Sequence, residues 1–310
     1  MIGTAHGKVI LFGEHAVVYG SPALAVGIDR GARAEAKPAD RTTLHVPDWN
    51  VHVTEADDVP LARALRDLVA ASGVKGAFEI EAHADLPPGG GLGCSAALGV
   101  AVARAIDPSA SADAIAERVM AWERVYHGNP SGIDAAVASM GGCVLFQKGE
   151  PIVRVRVGGP LTLCIGHTGQ ASSTKSMVEA VARLRERRPE IAQKTFDAIA
   201  TLVKNARFAI EAADRRAIGQ LLDLNQMLLS GLFVSTPEIE DMCGSARAAG
   251  AVGAKLTGAG GGGCVVALVD EPSRATAVLA EWKKSGFECF VATVGSTPRA
   301  EPRVHIEEAL

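Results

Sequence analysis

The feature that most constrains the fold is a run of four glycines between a predicted strand and a predicted helix, Gly89-Gly90-Gly91-Leu92-Gly93. Alternating apolar residues predict the strand at 78–82, and an unbroken Ala/Val-rich stretch predicts a buried helix at 95–106. Glycines let backbone N–H groups point inward, and a helix N-terminus adds partial positive charge. The run therefore predicts a phosphate cradle, with Ser95 placed to offer its hydroxyl to a phosphate-bound Mg²⁺. The alternative is a glycine-rich turn without a ligand.

Two common nucleotide-binding patterns are disfavoured. No Gly-Lys-Ser/Thr ends the first glycine run, so it is not a Walker A loop. A second run at 257–264 contains G-x-G-x-x-G, but a dinucleotide-binding fold needs a helix after this motif and residues 263–269 predict a strand. We expect the second run to close over the phosphates or to let two backbones approach closely.

Composition excludes other classes of protein. A formal net charge of −4 and an aromatic content of 4% predict no nucleic-acid partner. No segment approaches the ~20 apolar residues of a membrane helix, so no membrane association is expected. The six cysteines are scattered without a C-x-x-C pair, which disfavours a disulfide scaffold or structural zinc. The chain is expected to be cytoplasmic.

The order of predicted elements indicates an α+β chain. Short strands are predicted at 8–12, 32–36 and 42–46, whereas long helices dominate the second half. The change falls near Gly158-Gly159-Pro160. We therefore predict an N-terminal domain over 1–159, which carries the phosphate loop, and a C-terminal domain over 160–310.

Several charged residues are candidates for chemistry. Lys8 begins a predicted strand and Glu14 and His15 follow its end. Asp134 lies in the first turn of the predicted helix 133–140, where the helix dipole favours an ionised carboxylate. Each residue also has a purely structural interpretation, as a strand-edge charge, a turn residue or an ordinary helix-start acid.

The segment Ser172-Ser173-Thr174-Lys175 opens a predicted helix after a polar turn. Three hydroxyls and a lysine suit a small anion or a polyol. Ordinary helix capping is the structural alternative.

Taken together, the motifs identify a resemblance to the GHMP kinase superfamily. Its three motifs occur in order at 8–20, 87–97 and 255–264. Two further stretches, at 123–134 and 167–175, are similar to the mevalonate kinases of that superfamily in particular. The resemblance spans nearly the whole chain, from Lys8 to about Val269.

This resemblance implies a two-domain α+β fold with the active site in the interdomain cleft, often in a homodimer. It implies transfer of a phosphoryl group from ATP, with Mg²⁺, to the primary hydroxyl of mevalonate in isoprenoid precursor biosynthesis. The same fold also serves kinases of phosphomevalonate, galactose, homoserine or heptose phosphates. A non-catalytic module on a decayed kinase fold is a further alternative, which the intact site residues disfavour.

The resemblance also implies residue roles. Asp134 and Lys8 are expected at the substrate hydroxyl, and Ser95 and Glu123 are expected to hold Mg²⁺. The implied nucleotide-binding residues follow one another in the first glycine run: Pro88, Gly89, Gly90, Gly91, Leu92, Gly93, Cys94, Ser95 and Ala96. The implied substrate-binding residues come from three segments: Glu14, His15, Ser173, Thr257, Gly258, Ala259 and Gly260.

Two positions depart from the family pattern. Cys94 replaces the first serine of the usual Ser-Ser pair, a change we expect to be tolerated because the second position carries the metal-binding hydroxyl. Leu98 stands where animal-type enzymes tend to have an aromatic residue. The resemblance therefore does not imply that isoprenoid diphosphates inhibit this chain by feedback.

Overall fold

A mixed β-sheet built from both halves of the chain organises the protein. The computed structural model describes residues 1–87, 89–127, 130–170 and 172–295. In these residues the strands are β1 (Ile2–Phe12), β2 (Ala23–Ala39), β3 (Thr43–Val46), β4 (Val51–Thr54), β5 (Ala77–Ala84), β6 (Cys143–Phe146), β7 (Val153–Val155), β8 (Leu161–His167), β9 (Gly253–Thr257), β10 (Cys264–Val269) and β11 (Glu288–Val294).

The sheet path runs β4-β3-β5-β2-β11-β8-β10-β9, and β1 and β6 also pair with β2. All pairings are antiparallel except that of β3 with β5. β11 joins the halves, because Val294 pairs with Ile28 of β2 while the whole strand pairs with β8. Because one sheet continues through both halves, the glycine run of the first half lies close to the glycine run of the second half.

The helices cover the sheet and surround the cavity described below. They are α1 (Pro60–Ser72), α2 (Cys94–Ile106), α3 (Ala112–His127), α4 (Ile133–Met140), α5 (Thr174–Arg187), α6 (Pro189–Glu211), α7 (Arg215–Gly231), α8 (Pro237–Ala248) and α9 (Pro272–Lys284). Short 3₁₀ helices lie at Ala16–Tyr19 and Pro47–Trp49. Within the described part of the chain, no helix is both long and apolar enough to span a bilayer.

Helix α2 is the central helix of the first half. It packs on β1, β2 and α3, and most of its side chains are buried. A Cβ at Gly99 would lie 3.0 Å from the Trp122 ring, so glycine permits the close approach of α3. That approach places the C-terminal end of α3 beside the N-terminus of α2.

The α+β class predicted from the sequence is confirmed, and two strands are longer than expected. β1 begins at Ile2 and β2 spans 17 residues, whereas the sequence predicted strands only at 8–12 and 32–36. The first seven residues of β2 are all buried, so the polar–apolar alternation that reveals a half-buried strand is missing there. The division into domains at 159/160 stays a prediction.

Candidate active site

A cavity of about 610 Å³ lies where the end of β1, the starts of α2 and α4 and the end of α3 meet segments of the second half. Most of the residues that the sequence singles out line it: Lys8, Glu14, His15, 89–96, Glu123, Asp134, Gly258 and Ala259. Pro88, which the sequence assigns to nucleotide binding, lies outside the described residues. The arrangement brings both glycine runs to one site.

The first glycine run forms the wall of the cavity at the N-terminus of α2. Gly89, Gly91 and Gly93 have φ values of 73°, 75° and 71°, a left-handed conformation that favours glycine. A Cβ at Gly93 would also lie 3.2 Å from the Cβ of Lys8. The first turn of α2 carries no acid of its own, and the positive end of its helix dipole lies at the cavity. This geometry suits an anion such as a phosphate.

Lys8 and Asp134 form an ion pair beside this loop. The Lys8 side chain is 7% exposed, and its Nζ lies 3.0 Å from Oδ1 of Asp134. The same Nζ donates to the carbonyl of Gly91 at 3.4 Å, and the Lys8 backbone N–H donates to the carbonyl of Leu92 at 2.8 Å. The lysine is therefore held between the phosphate loop and the carboxylate.

Asp134 is positioned by the start of α4. Gly132, the residue that caps α4, has φ 86°, and the carboxylate lies in the first helical turn. Its side chain is 33% exposed, so it is accessible from the cavity. Within the described residues, Oδ1 is buried without an aligned hydrogen bond. Oδ1 faces the Lys8 ammonium, and the exposed part of the carboxylate can accept a hydrogen bond from a substrate hydroxyl.

Ser95 and Glu123 form a second polar pair in the cavity. Ser95 Oγ donates to Glu123 Oε1 at 2.7 Å and accepts from Trp122 Nε1 at 3.3 Å. His127 Nε2 lies 3.7 Å from the other Glu123 oxygen. Burial raises the pKa of Glu123, a shift that the Ser95 hydrogen bond opposes and the charge of Asp134 reinforces. A hydroxyl and a carboxylate are hard oxygen ligands that fit Mg²⁺, which usually takes one or two carboxylates together with substrate phosphates.

His15 and Glu14 lie on opposite sides of the turn after β1. His15 Nε2 donates to the carbonyl of Ala259 at 2.8 Å, which joins this turn to the second glycine run. Burial lowers the pKa of His15 and favours the neutral ring. Although Glu14 is among the lining residues, its carboxylate is fully buried against Lys255 and is not exposed to the cavity. Lys255 was missed as a functional candidate, although a lysine within an apolar strand is a recognisable signal.

Three other predicted substrate residues do not line the cavity. Thr257 Oγ1 bonds to the backbone of Ile10, donating at 3.0 Å and accepting at 3.1 Å. Ser173 caps α5 by accepting from the Ser176 N–H at 3.3 Å, and Gly260 accepts from the Ser172 hydroxyl. Ser172 and Thr174, which the sequence grouped with Ser173 but did not assign to the site, line the cavity instead. The binding roles of Ser173, Thr257 and Gly260 stay predictions.

The two departures from the family pattern occupy different places. Cys94 lines the cavity, and burial raises the pKa of its thiol to about 12, so it is an inert thiol there. Leu98 is packed in the core, 1% exposed, one turn further along α2.

Comparison with known proteins places this architecture in a family. Residues 60–142 match the GHMP kinases N terminal domain and residues 206–288 match the GHMP kinases C terminal model. Mevalonate kinases of Pyrococcus abyssi and Archaeoglobus fulgidus are 33% and 34% identical to the chain; the alignments cover 89% and 92% of this chain and 91% and 98% of theirs.

Solved structures of mevalonate kinases are also similar to this chain. The L. major mevalonate kinase in complex with R-mevalonate aligns with a TM-score of 0.85 at 28% identity, over 97% of each chain. The Methanococcus jannaschii mevalonate kinase aligns with a TM-score of 0.84 at 25% identity, over 96% of this chain and 98% of that one. The chain belongs to the GHMP kinase family, and within it is similar to mevalonate kinases.

Proposed function

We propose that this protein transfers the γ-phosphoryl group of ATP to the primary hydroxyl of mevalonate, giving 5-phosphomevalonate and ADP for isoprenoid precursor biosynthesis. The observation that carries the proposal is the Lys8–Asp134 pair, with its 3.0 Å separation, beside a glycine cradle in one cavity. The substrate follows from the similarity to mevalonate kinases over most of the chain.

Binding of the nucleotide phosphates is assigned to backbone N–H groups of 89–95 and to the N-terminus of α2. Ser95 and Glu123 would hold Mg²⁺. Bound there, the ion neutralises negative charge on the nucleotide. The hydrogen bond from Ser95 to Glu123 keeps both oxygen groups together.

Asp134 and Lys8 act on the acceptor alcohol. Phosphoryl transfer depends on alignment and charge neutralisation more than on covalent catalysis. The Asp134 carboxylate accepts a hydrogen bond from the alcohol, and takes its proton or orients it as the bond to phosphorus forms. Lys8 pairs with that carboxylate and neutralises charge that develops on the transferred group.

An ADP-release assay against a panel of alcohols tests the substrate. With ATP and Mg²⁺, we expect mevalonate to give the highest kcat/KM among mevalonate, phosphomevalonate, galactose and homoserine. Phosphorus NMR of the product should show a phosphate monoester on the primary carbon. Absence of turnover with mevalonate beside clear turnover with another alcohol would refute the assignment.

Replacing Glu123 with glutamine tests the proposed metal site. Because the substitution removes the anionic oxygen ligand, the Mg²⁺ concentration for half-maximal activity should rise by about tenfold or more. Glu117→Gln is the matched control, since Glu117 is an exposed acid on the same helix. An Mg²⁺ titration of kcat/KM compares the two variants, and equal Mg²⁺ dependence would remove Glu123 from the metal site.

Assembly and location are proposals of the same kind. We propose a homodimer, a cytoplasmic location and two domains that meet near 159/160. The family resemblance implies the homodimer and the two domains. All six cysteines are free, which is compatible with a reducing compartment. Sedimentation velocity tests the dimer.

A further inference from the structure

A lysine and a glutamate form an ion pair in the protein interior directly behind the cavity wall. Lys255 lies on β9 and Glu14 lies in the turn after β1, and both side chains are 0% exposed. Burying two charges is costly, and it is tolerated only where each charge is well paired. A buried ion pair is weak evidence for stability, and this one lies next to residues that line the cavity.

Both members of the pair have further partners. Lys255 Nζ donates to Glu14 Oε1 and to the carbonyl of Leu256. The second carboxylate oxygen, Glu14 Oε2, accepts from Asn225 Nδ2 of α7 at 3.3 Å. Burial raises the pKa of Glu14 and lowers that of Lys255, while their mutual attraction opposes both shifts. The Glu14 side chain is therefore held from two sides.

The residue after Glu14 has a strained backbone. His15 has φ 61°, an uncommon conformation for a residue other than glycine, and it precedes the 3₁₀ helix Ala16–Tyr19. Such a conformation persists only where surrounding contacts enforce it. Here the contacts are the Glu14–Lys255 pair on one side and the hydrogen bond from His15 to Ala259 on the other.

These contacts belong to a seam of side chains between the end of β1 and the segment that begins with β9. Three contacts make up this seam: Ile10 with Thr257, Glu14 with Lys255, and His15 with Ala259. In the sheet, β1 pairs with β2 and β9 pairs with β10. Side chains rather than a β-ladder therefore align the turn with the second glycine run.

We propose that Lys255 is a positioning residue, which acts through Glu14 to hold His15 and Ala259 in place as the acceptor-side wall of the cavity. The inference rests on the proposed function for the identity of the acceptor. Lys255 touches no substrate, because it is fully buried behind Glu14. It therefore differs from Lys8, whose ammonium lies in the cavity beside Asp134.

Replacing Lys255 with methionine tests the proposal, because methionine keeps much of the length and removes the charge. A misplaced wall should lower kcat/KM for mevalonate by about 10–100-fold, mainly through a higher KM for mevalonate. The KM for ATP should stay within about twofold, because the phosphate cradle is built from other residues. Amide hydrogen exchange of residues 13–20 should become faster, since the strained turn loses one of the side-chain contacts that restrain it.

A variant cycle shows whether Lys255 acts through Glu14. Glu14→Gln and the double variant Lys255→Met/Glu14→Gln complete the cycle, and the double variant also removes the unpaired buried charge that would impair folding. If Lys255 acts through Glu14, both substitutions interrupt the same interaction. The kcat/KM of the double variant should then be no lower than that of the worse single variant. Multiplication of the two single effects would overturn the proposed route through Glu14.

Leu68→Ala is the control for lost stability, because Leu68 is fully buried in α1 and does not line the cavity. It should lower Tm but leave the KM for mevalonate and the exchange of residues 13–20 unchanged. Lys255→Met would refute the positioning role if, below its Tm, it kept the wild-type KM and the wild-type exchange. A wild-type protein that does not phosphorylate mevalonate would refute the proposed function instead, and the exchange measurement would still test the restraint.

Discussion

Replacing Asp134 with alanine is expected to lower kcat by about 10²–10⁴-fold while leaving the Kd for ATP nearly unchanged. The Asp134 carboxylate lies 3.0 Å from the Lys8 ammonium and is accessible from the cavity, where an acceptor hydroxyl would meet it. The phosphate cradle is formed by a different segment, so nucleotide affinity should persist. Steady-state kinetics with mevalonate and calorimetric titration with a non-hydrolysable ATP analogue measure the two quantities.

Asp113→Ala is the matched control for Asp134→Ala. Both acids lie in the first turn of a helix, where a carboxylate stabilises the helix dipole, but Asp113 is exposed at the start of α3. Both variants lose the helix-dipole contribution of the acid, and Asp134→Ala also leaves the Lys8 ammonium without its partner, but only Asp134→Ala should lose activity. A decrease in kcat of less than about tenfold for Asp134→Ala would show that the acid at the acceptor hydroxyl is misassigned.

Replacing Lys8 with methionine is expected to lower kcat by about 10²–10³-fold, the usual cost of removing one electrostatic contact to a transition state. The Lys8 ammonium lies between Asp134 Oδ1 and the carbonyl of Gly91, so its loss leaves the carboxylate without its positive partner. Because the charge is needed most during transfer, the phosphoryl-transfer step should slow more than nucleotide binding weakens. Single-turnover kinetics with rapid quench separates these steps.

Lys37→Met is the control for Lys8→Met, since Lys37 is a largely exposed lysine on β2. Its kinetics should equal those of the wild type. The effects of Lys8→Met and Asp134→Asn should combine to less than their product, because the two residues act as one unit. Independent effects, or a Lys8→Met variant with a normal transfer step, would contradict the paired role.

Local signals account for what could be predicted from the sequence. The sequence predicts the bounds of α4 at 133–140, because caps and glycines act over a few residues. The first glycine run likewise marked the N-terminus of α2. The extent of β2 could not be predicted, since burial of both faces removes the periodic pattern.

Sequence patterns alone reveal the chemical groups of this protein: a glycine loop before a helix, an acid in a first helical turn, and a lysine on the first strand. Which of these groups come into contact depends on the three-dimensional fold. It pairs Lys8 with Asp134, and it pairs the Glu14 carboxylate with Lys255, 241 residues away in sequence. The reason is the distance along the chain over which each kind of interaction acts. Turns and caps depend on neighbours along the chain, whereas charge pairs depend on a sheet that joins both halves.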